Sequence, residues 1–270
     1  MTALKLPSPG DVILHDFRDS SLSQAHDTEQ PLKLLQWNIE RGYKLKEIIQ
    51  ELKTLDADVI AIQEIDIGCE RSGGVDTGVE IAQALGLAYA FVCEFEEIAS
   101  PLRDAATQGG GVHGNGILSK FDIVGARKVE HTCHPVDWED PGNRLAKKEP
   151  RKGRRLTLAA TVVTPQGPLL VYSAHLEVFC GMLARIHQLS DIFRDARGPG
   201  SATPSQALLG DLNTVGHGVA RLSRDVCRDA MRWRNLGRTE AEVWERSVLS
   251  CRGRLSGPAG PPGQGPPTLF

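Results

Sequence analysis

Apolar residues fall along this chain in two kinds of pattern, and each predicts a different element. Leu45, Ile48, Ile49, Leu52 and Leu55 recur at helical spacing, which predicts an amphipathic helix over about 43–55. Met182, Ile186, Leu189 and Phe193 repeat the pattern over 182–196, and a shorter helix is expected near 79–85. Continuous apolar runs predict buried strands instead. Four of them end in polar residues: LKLLQWN at Asn38, DVIAIQE at Glu64, LLVYSAH at His175 and ALLGDLN with Asp211 and Asn213. Residues 88–95 read as another strand and DVILHDF as an edge strand. Residues 156–163 and 169–175 flank a turn and predict a hairpin. The glycine-rich stretch 109–116 reads as a flexible turn leading into a strand at 117–118. No internal repeat is present.

Length and composition narrow the picture. The chain has 270 residues, 40% hydrophobic and 24% charged, which suits one large globular domain. The expected organisation is a weakly ordered lead-in over 1–31, a domain over 32–250 and a disordered tail over 251–270. From Gly253 onward, ten of eighteen residues are Gly or Pro, a composition that supports neither helix nor central strand. Between Gly216 and Arg246 lie seven arginines, and Thr239-Glu240-Ala241-Glu242 predicts the capping box of a last helix. Six scattered cysteines without ligand spacing argue for free thiols and against a zinc site. No signal peptide and no apolar stretch of membrane-spanning length is seen, so the default location is intracellular, cytoplasmic or nuclear. Nothing in the sequence sets the oligomeric state.

The net charge of −3 exerts no global pull on nucleic acid. Residues 142–155 differ, with seven Lys or Arg against Glu149 alone. Two readings stay open for that segment, a polyanion-binding patch and a solvated loop.

The strand-end residues bring candidate chemistry, since carboxyl ends of neighbouring strands can converge on one crevice. Asp211 and Asn213 share a strand face, where a carboxylate can orient water and an amide can donate to a phosphoryl oxygen. Taken alone, Asp-x-Asn is also a common turn. Glu64 closes a strongly apolar strand and needs a partner, either an arginine or a hard cation such as Mg²⁺. Asn38 could orient Glu64 or touch the ion, or simply begin a turn. His175 could stabilise phosphoryl charge or protonate a leaving oxygen, or be a satisfied core histidine. Asn115 in the glycine-rich stretch is a candidate substrate contact. Asp66 could support Glu64 from the same face or be exposed to solvent, and Arg71 and Arg155 could hold phosphate or be ordinary surface arginines.

Together, and in this order, these residues resemble the endonuclease/exonuclease/phosphatase superfamily. The matching pieces are Trp37-Asn38-Ile39, Gln63-Glu64-Ile65, Gly114-Asn115-Gly116-Ile117-Leu118-Ser119, Ser173-Ala174-His175-Leu176 and Gly210-Asp211-Leu212-Asn213-Thr214. The resemblance implies a four-layered α/β sandwich and hydrolysis of a phosphodiester or phosphomonoester dependent on Mg²⁺, with Mn²⁺ as an alternative. It implies Glu64 as metal ligand with Asn38 beside it, Asp211 as orienter of water, Asn213 on the scissile phosphate, His175 on the phosphate and Asn115 on the substrate side. The partner is then a phosphate ester, with nucleic acid suiting the basic segment 142–155. One motif of the superfamily is absent: no Ser-Asp-His occurs, and the 57 residues after Asn213 hold a single histidine, His217. The expectation is a sheet short of its last strands, as in a truncated or spliced product. A catalytically silent polyanion- or protein-binding module and an unstable isoform are the alternatives that follow.

Overall fold

The computed structural model describes residues 5–19, 30–201, 203, 205–214 and 242. The arginines after Gly216, His217, the body of the last predicted helix, most of the lead-in beyond Asp19 and the tail lie outside the described residues.

Among the described residues, ten strands form two sheets. The first has the order β1 (Val12–Asp16), β4 (Ala88–Glu97), β5 (Val112–Ser119), β3 (Val59–Ile67), β2 (Leu34–Asn38), with β7 (Arg151–Gly153) added to β4. The second has the order β10 (Ser205–Asp211), β9 (Gly167–His175), β8 (Leu156–Thr164), β6 (Asp122–Glu130). Strand alternation sorts side chains between layers. Val59, Ala90, Val92 and Ile117 of the first sheet meet Leu158, Ala160, Val162 and Val171 of the second. On the first sheet's outer face, Tyr89, Phe91, Ile60 and Ile62 pack against α1 (Leu45–Leu55) and α2 (Thr77–Leu85) through Ile48, Leu52 and Ile81. On the second sheet's outer face, Leu170, Tyr172 and Ala174 take Met182, Leu189 and Ile192 of α4 (Met182–Ala196). The layers run helix, sheet, sheet, helix, the α/β sandwich expected. Local chemistry sets the helix ends. Asp76 caps α2 by accepting from the Val79 amide at 2.9 Å, and Gly86 closes it at φ 63°.

Two expectations need correction. The glycine-rich stretch is not a turn at Asn115, because β5 is a central strand between β3 and β4 and Asn115 is wholly buried in it. Its glycines serve close approach. A Cβ at Gly114 would sit 2.0 Å from the Val92 carbonyl oxygen, and one at Gly116 would sit 2.6 Å from Ile65 Cδ1. Gly114→Ala should therefore destabilise the protein by about 1–3 kcal/mol or more. A denaturant midpoint equal to wild type would refute that clash. The second correction concerns 142–155, which is neither a plain solvated loop nor a wholly exposed patch. It folds into α3 (Arg144–Lys148) and β7, and Arg151 and Arg155 are buried. The Arg151 guanidinium stacks 4.4 Å from the Trp138 ring centroid and 5.0 Å from that of Phe95. Arg144, Lys147, Lys148, Lys152 and Arg154 stay exposed.

Candidate active site

Two parallel pairings build the site. β2 runs parallel to β3 and β9 parallel to β10, so both pairs deliver their carboxyl ends to the same edge of the sandwich. β2 ends its sheet, and β10 is the outermost strand of the other among the described residues. At that edge Asn38, Glu64, His175 and Asp211 converge. The Asn38 amide donates to Glu64 Oε1 at 3.1 Å and to Asp211 Oδ2 at 3.0 Å, tying the sheets together through one carboxamide. His175 Nε2 lies 4.0 Å from Glu64 Oε1 and 3.9 Å from Asp211 Oδ2. Asn213 lies past the end of β10 at φ 49°, not on a strand face shared with Asp211, and gives its backbone N–H to Asp211 Oδ1 at 2.8 Å and its amide N–H to the Leu176 carbonyl at 2.7 Å.

Glu64 owes its position to a bulge. The β3–β5 register slips between Ile62 and Ile65, and Glu64 adopts φ 62°. Ile60 and Ile62 face the helices before it, and Ile65 and Ile67 do so after it. The extra residue turns the Glu64 carboxylate toward the second sheet's strand ends. A non-glycine residue held left-handed costs about 1–2 kcal/mol, which the surrounding sheet sustains. Asn115 lies across from this bulge, its amide nitrogen 3.4 Å from the Leu156 carbonyl and its oxygen without a hydrogen-bond partner. Below, Gln63 accepts from Gln36 at 2.6 Å and donates to Ser173 at 2.9 Å across the sheets.

The other predicted residues are engaged within the protein. Arg71 is not presented to solvent: it bridges Asp66, at 2.7 and 2.9 Å, and Glu97 at 3.1 Å. Asp66, wholly buried, also meets His113 Nδ1 at 2.8 Å. Burial works against the Asp66 carboxylate, but Arg71 and His113 outweigh it and hold its pKa below the usual range. Burial likewise opposes the Glu97 charge, and Arg151 and Arg71 overcome it. Arg155 is buried against Glu94, Oε2 at 3.0 Å, and His175, Nδ1 at 3.1 Å. Burial first, then the Arg155 charge, pushes the His175 pKa well below that of a free imidazole, which favours the neutral ring. Sequence reading missed Glu94, His113 and Arg41. Glu94 and His113 were legible as ionisable residues inside apolar or glycine-flanked strands. Arg41 follows Glu40 in a turn where both have positive φ, 62° and 50°, and it reaches Tyr43 Oη at 3.0 Å and Glu149 at 3.7 Å.

A histidine outside the site carries a pH prediction. His131 contacts Thr157 Oγ1 at 3.2 Å, and burial pulls its pKa down to about 4. Between that value and the unfolded value of about 6.5, the unfolded chain binds the extra proton, so stability falls as pH drops. The expected loss is about 2 kcal/mol between roughly pH 7.5 and pH 5. Urea midpoints at both pH values test it: His131→Gln should lose about 2 kcal/mol less than wild type over this window, while His175 and His134, whose pKa values are also lowered, keep the rest of the dependence.

The four-layered α/β sandwich thus gathers carboxylates, carboxamides and an imidazole at joined strand ends. The sequence matches the model of the Endonuclease/Exonuclease/phosphatase family over residues 35–264, and the chain belongs to that family. Among solved structures it is similar to an endonuclease/exonuclease/phosphatase from Beutenbergia cavernae, with 23% identity, 69% of this chain and 48% of that chain covered, and a TM-score of 0.49. It is also similar to the human Nocturnin catalytic domain with bound sulfate, with 16% identity, 76% and 68% covered, and a TM-score of 0.50. A mannosyl-6-phosphatase from Bacteroides thetaiotaomicron shows 17% identity, 68% and 66% covered, and a TM-score of 0.43. The chain spans about half the length of the first of these, and at 16% identity the likeness to the Nocturnin domain concerns the fold alone. No curated protein matches significantly. No helix among the described residues is long and apolar enough to cross a membrane.

Proposed function

We propose that this chain is a Mg²⁺-dependent phosphodiesterase of nuclease type, with Mn²⁺ as an alternative ion. The observation that carries the reading is the Asn38 amide joining Glu64 to Asp211 beside His175. The donor set fits a hard cation. Both carboxylates are partly open to solvent, and among the described residues neither ion-pairs with Lys or Arg. A second cluster, Glu94, His113 and His175, holds its ligand-type atoms within 4.8 Å of one another. There the Arg155 guanidinium already sits against Glu94 and His175, so we place the ion at Glu64 with Asp211 opposite. Asn38 turns its amide hydrogens to the carboxylates, and its oxygen accepts from the Glu40 N–H at 3.0 Å. Its role is to hold the two carboxylates, rather than to give an oxygen to the ion.

Bound there, the ion would neutralise charge on the phosphoryl oxygens. Asp211 orients and deprotonates the attacking water, its carboxylate aimed by the Asn213 backbone N–H. The second amide hydrogen of Asn213 is left for a phosphoryl oxygen. His175 offers Nε2–H to the same group. Arg71, Arg155 and Asn115 have no open path to substrate and serve as supports. The exposed Arg144, Lys147 and Lys148 adjoin Glu149, which pairs with Arg41, and this basic rim suits a nucleic acid strand better than a small ester. The test is hydrolysis of bis(p-nitrophenyl) phosphate, single-stranded DNA and RNA with Mg²⁺ and with EDTA. Turnover that disappears in EDTA is expected. A cooperatively folded protein with no turnover on any of the three would sink the proposal.

A further inference from the structure

We infer that Arg155 is a positioning residue that sets the tautomer of His175, so that the ring presents Nε2–H to the site. The catalytic consequence rests on the phosphodiesterase reading, while the tautomer itself does not. Arg155 Nη1 lies 3.1 Å from His175 Nδ1. A guanidinium has five N–H donors, no acceptor, and stays protonated in proteins. Nδ1 can therefore only accept and carries a lone pair there. The hydrogen of the neutral ring is left on Nε2, the nitrogen facing Glu64 Oε1 and Asp211 Oδ2. Those two carboxylates favour the same tautomer, because a bare lone pair would face two anionic oxygens and an N–H faces them favourably.

The guanidinium is itself held from several sides. Glu94 Oε2 accepts from Nη1 at 3.0 Å, while Glu94 Oε1 accepts from the Leu156 backbone N–H at 2.9 Å. Glu177 lies 3.9 Å from Nε, and the Phe95 ring centroid lies 5.3 Å from the guanidinium carbon. Arg155 is 6% exposed, so water does not compete for Nδ1. The chain of contacts runs from the Leu156 backbone through Glu94 and Arg155 to His175. It fixes a ring that pivots on a strand end, and a wrong tautomer would turn a lone pair toward the phosphoryl oxygen.

The experiment is a two-bond ¹H–¹⁵N correlation of the full chain labelled with ¹⁵N-histidine, near neutral pH, with His175 assigned by its loss in His175→Gln. The expected spectrum shows His175 with unprotonated Nδ1 and protonated Nε2. Arg155→Leu should give mixed tautomers, and kcat on bis(p-nitrophenyl) phosphate should fall on the order of 100-fold with little change in KM. Arg155→Lys, which keeps a donor, should restore the tautomer and most of kcat. An Nδ1–H or doubly protonated His175 in the wild type would overturn the inference, as would an unchanged tautomer in Arg155→Leu. If that variant does not fold, the double variant Arg155→Leu/Glu94→Gln removes the buried charge pair as a unit, and the wild-type spectrum decides by itself. No turnover from a wild-type chain with the expected spectrum would remove the phosphodiesterase reading and leave the tautomer assignment standing.

Discussion

Asp211→Asn should leave a folded protein whose hydrolysis of a phosphodiester is lower by about 10³-fold or more, since charge and proton acceptance disappear together. The substitution keeps volume and keeps an oxygen for the Asn213 N–H, so the loop geometry survives. What disappears is one of two carboxylates held on a single amide. In the metal-free protein their mutual repulsion has no Lys or Arg ion pair to offset it among the described residues. The new amide NH2 faces the Asn38 donor, so the lost Asn38 hydrogen bond offsets the relieved repulsion and the variant should melt close to wild type. Glu64→Gln should behave likewise and should also lose the Mg²⁺-induced rise in melting temperature that ligand binding gives. A kcat within tenfold of wild type for Asp211→Asn would remove Asp211 from the chemistry.

The largest stability effect is expected at Arg71. Its guanidinium meets Asp66 and Glu97, and its side chain is 1% exposed. Replacing it by Met leaves buried carboxylates short of a cation, a change that costs about 3–5 kcal/mol. For a domain of this size that corresponds to a fall of roughly 10 °C or more in melting temperature. The pH dependence supplies a signature. Asp66 and Glu97 have pKa values lowered in the fold, so the stability they confer exists above the unfolded value of about 4 and is lost as pH falls through the folded values. The deficit of Arg71→Met should narrow in acid for that reason. Arg71→Lys should recover less than half of it, because an ammonium cannot make the bidentate contact with Asp66. A melt within about 2 °C of wild type at neutral pH would contradict the role given to this network.

The elements most legible in the sequence were those whose hydrophobic period was sustained. The helix from Leu45, the helix from Met182 and the hairpin around 164–168 all form near their expected limits. β6 was missed because its residues alternate weakly, with Val124 exposed and charged residues spread along it. Asn115 was misplaced because glycine marks both turns and close strand contact, and only the neighbours Val92 and Ile65 tell which. The strand-end residues were readable as a set, since each ends an apolar run, and the structure brings Asn38, Glu64, His175 and Asp211 within contact of one another. The arginines were not readable. Whether Arg71 or Arg155 meets phosphate or protein depends on Asp66, Glu94 and Glu97, which arrive from other strands.

The bond between Asn38 and Asp211 spans 173 positions of chain. A ribosome adding about 5–20 residues per second thus makes Asn38 roughly nine to thirty-five seconds before Asp211. Through that interval the first sheet can close around Glu64, while the cleft has no opposite wall. Completion of the site is then a late event of synthesis. Refolding in vitro should show the same order, with helical signal returning before turnover, because the longest loop closes last.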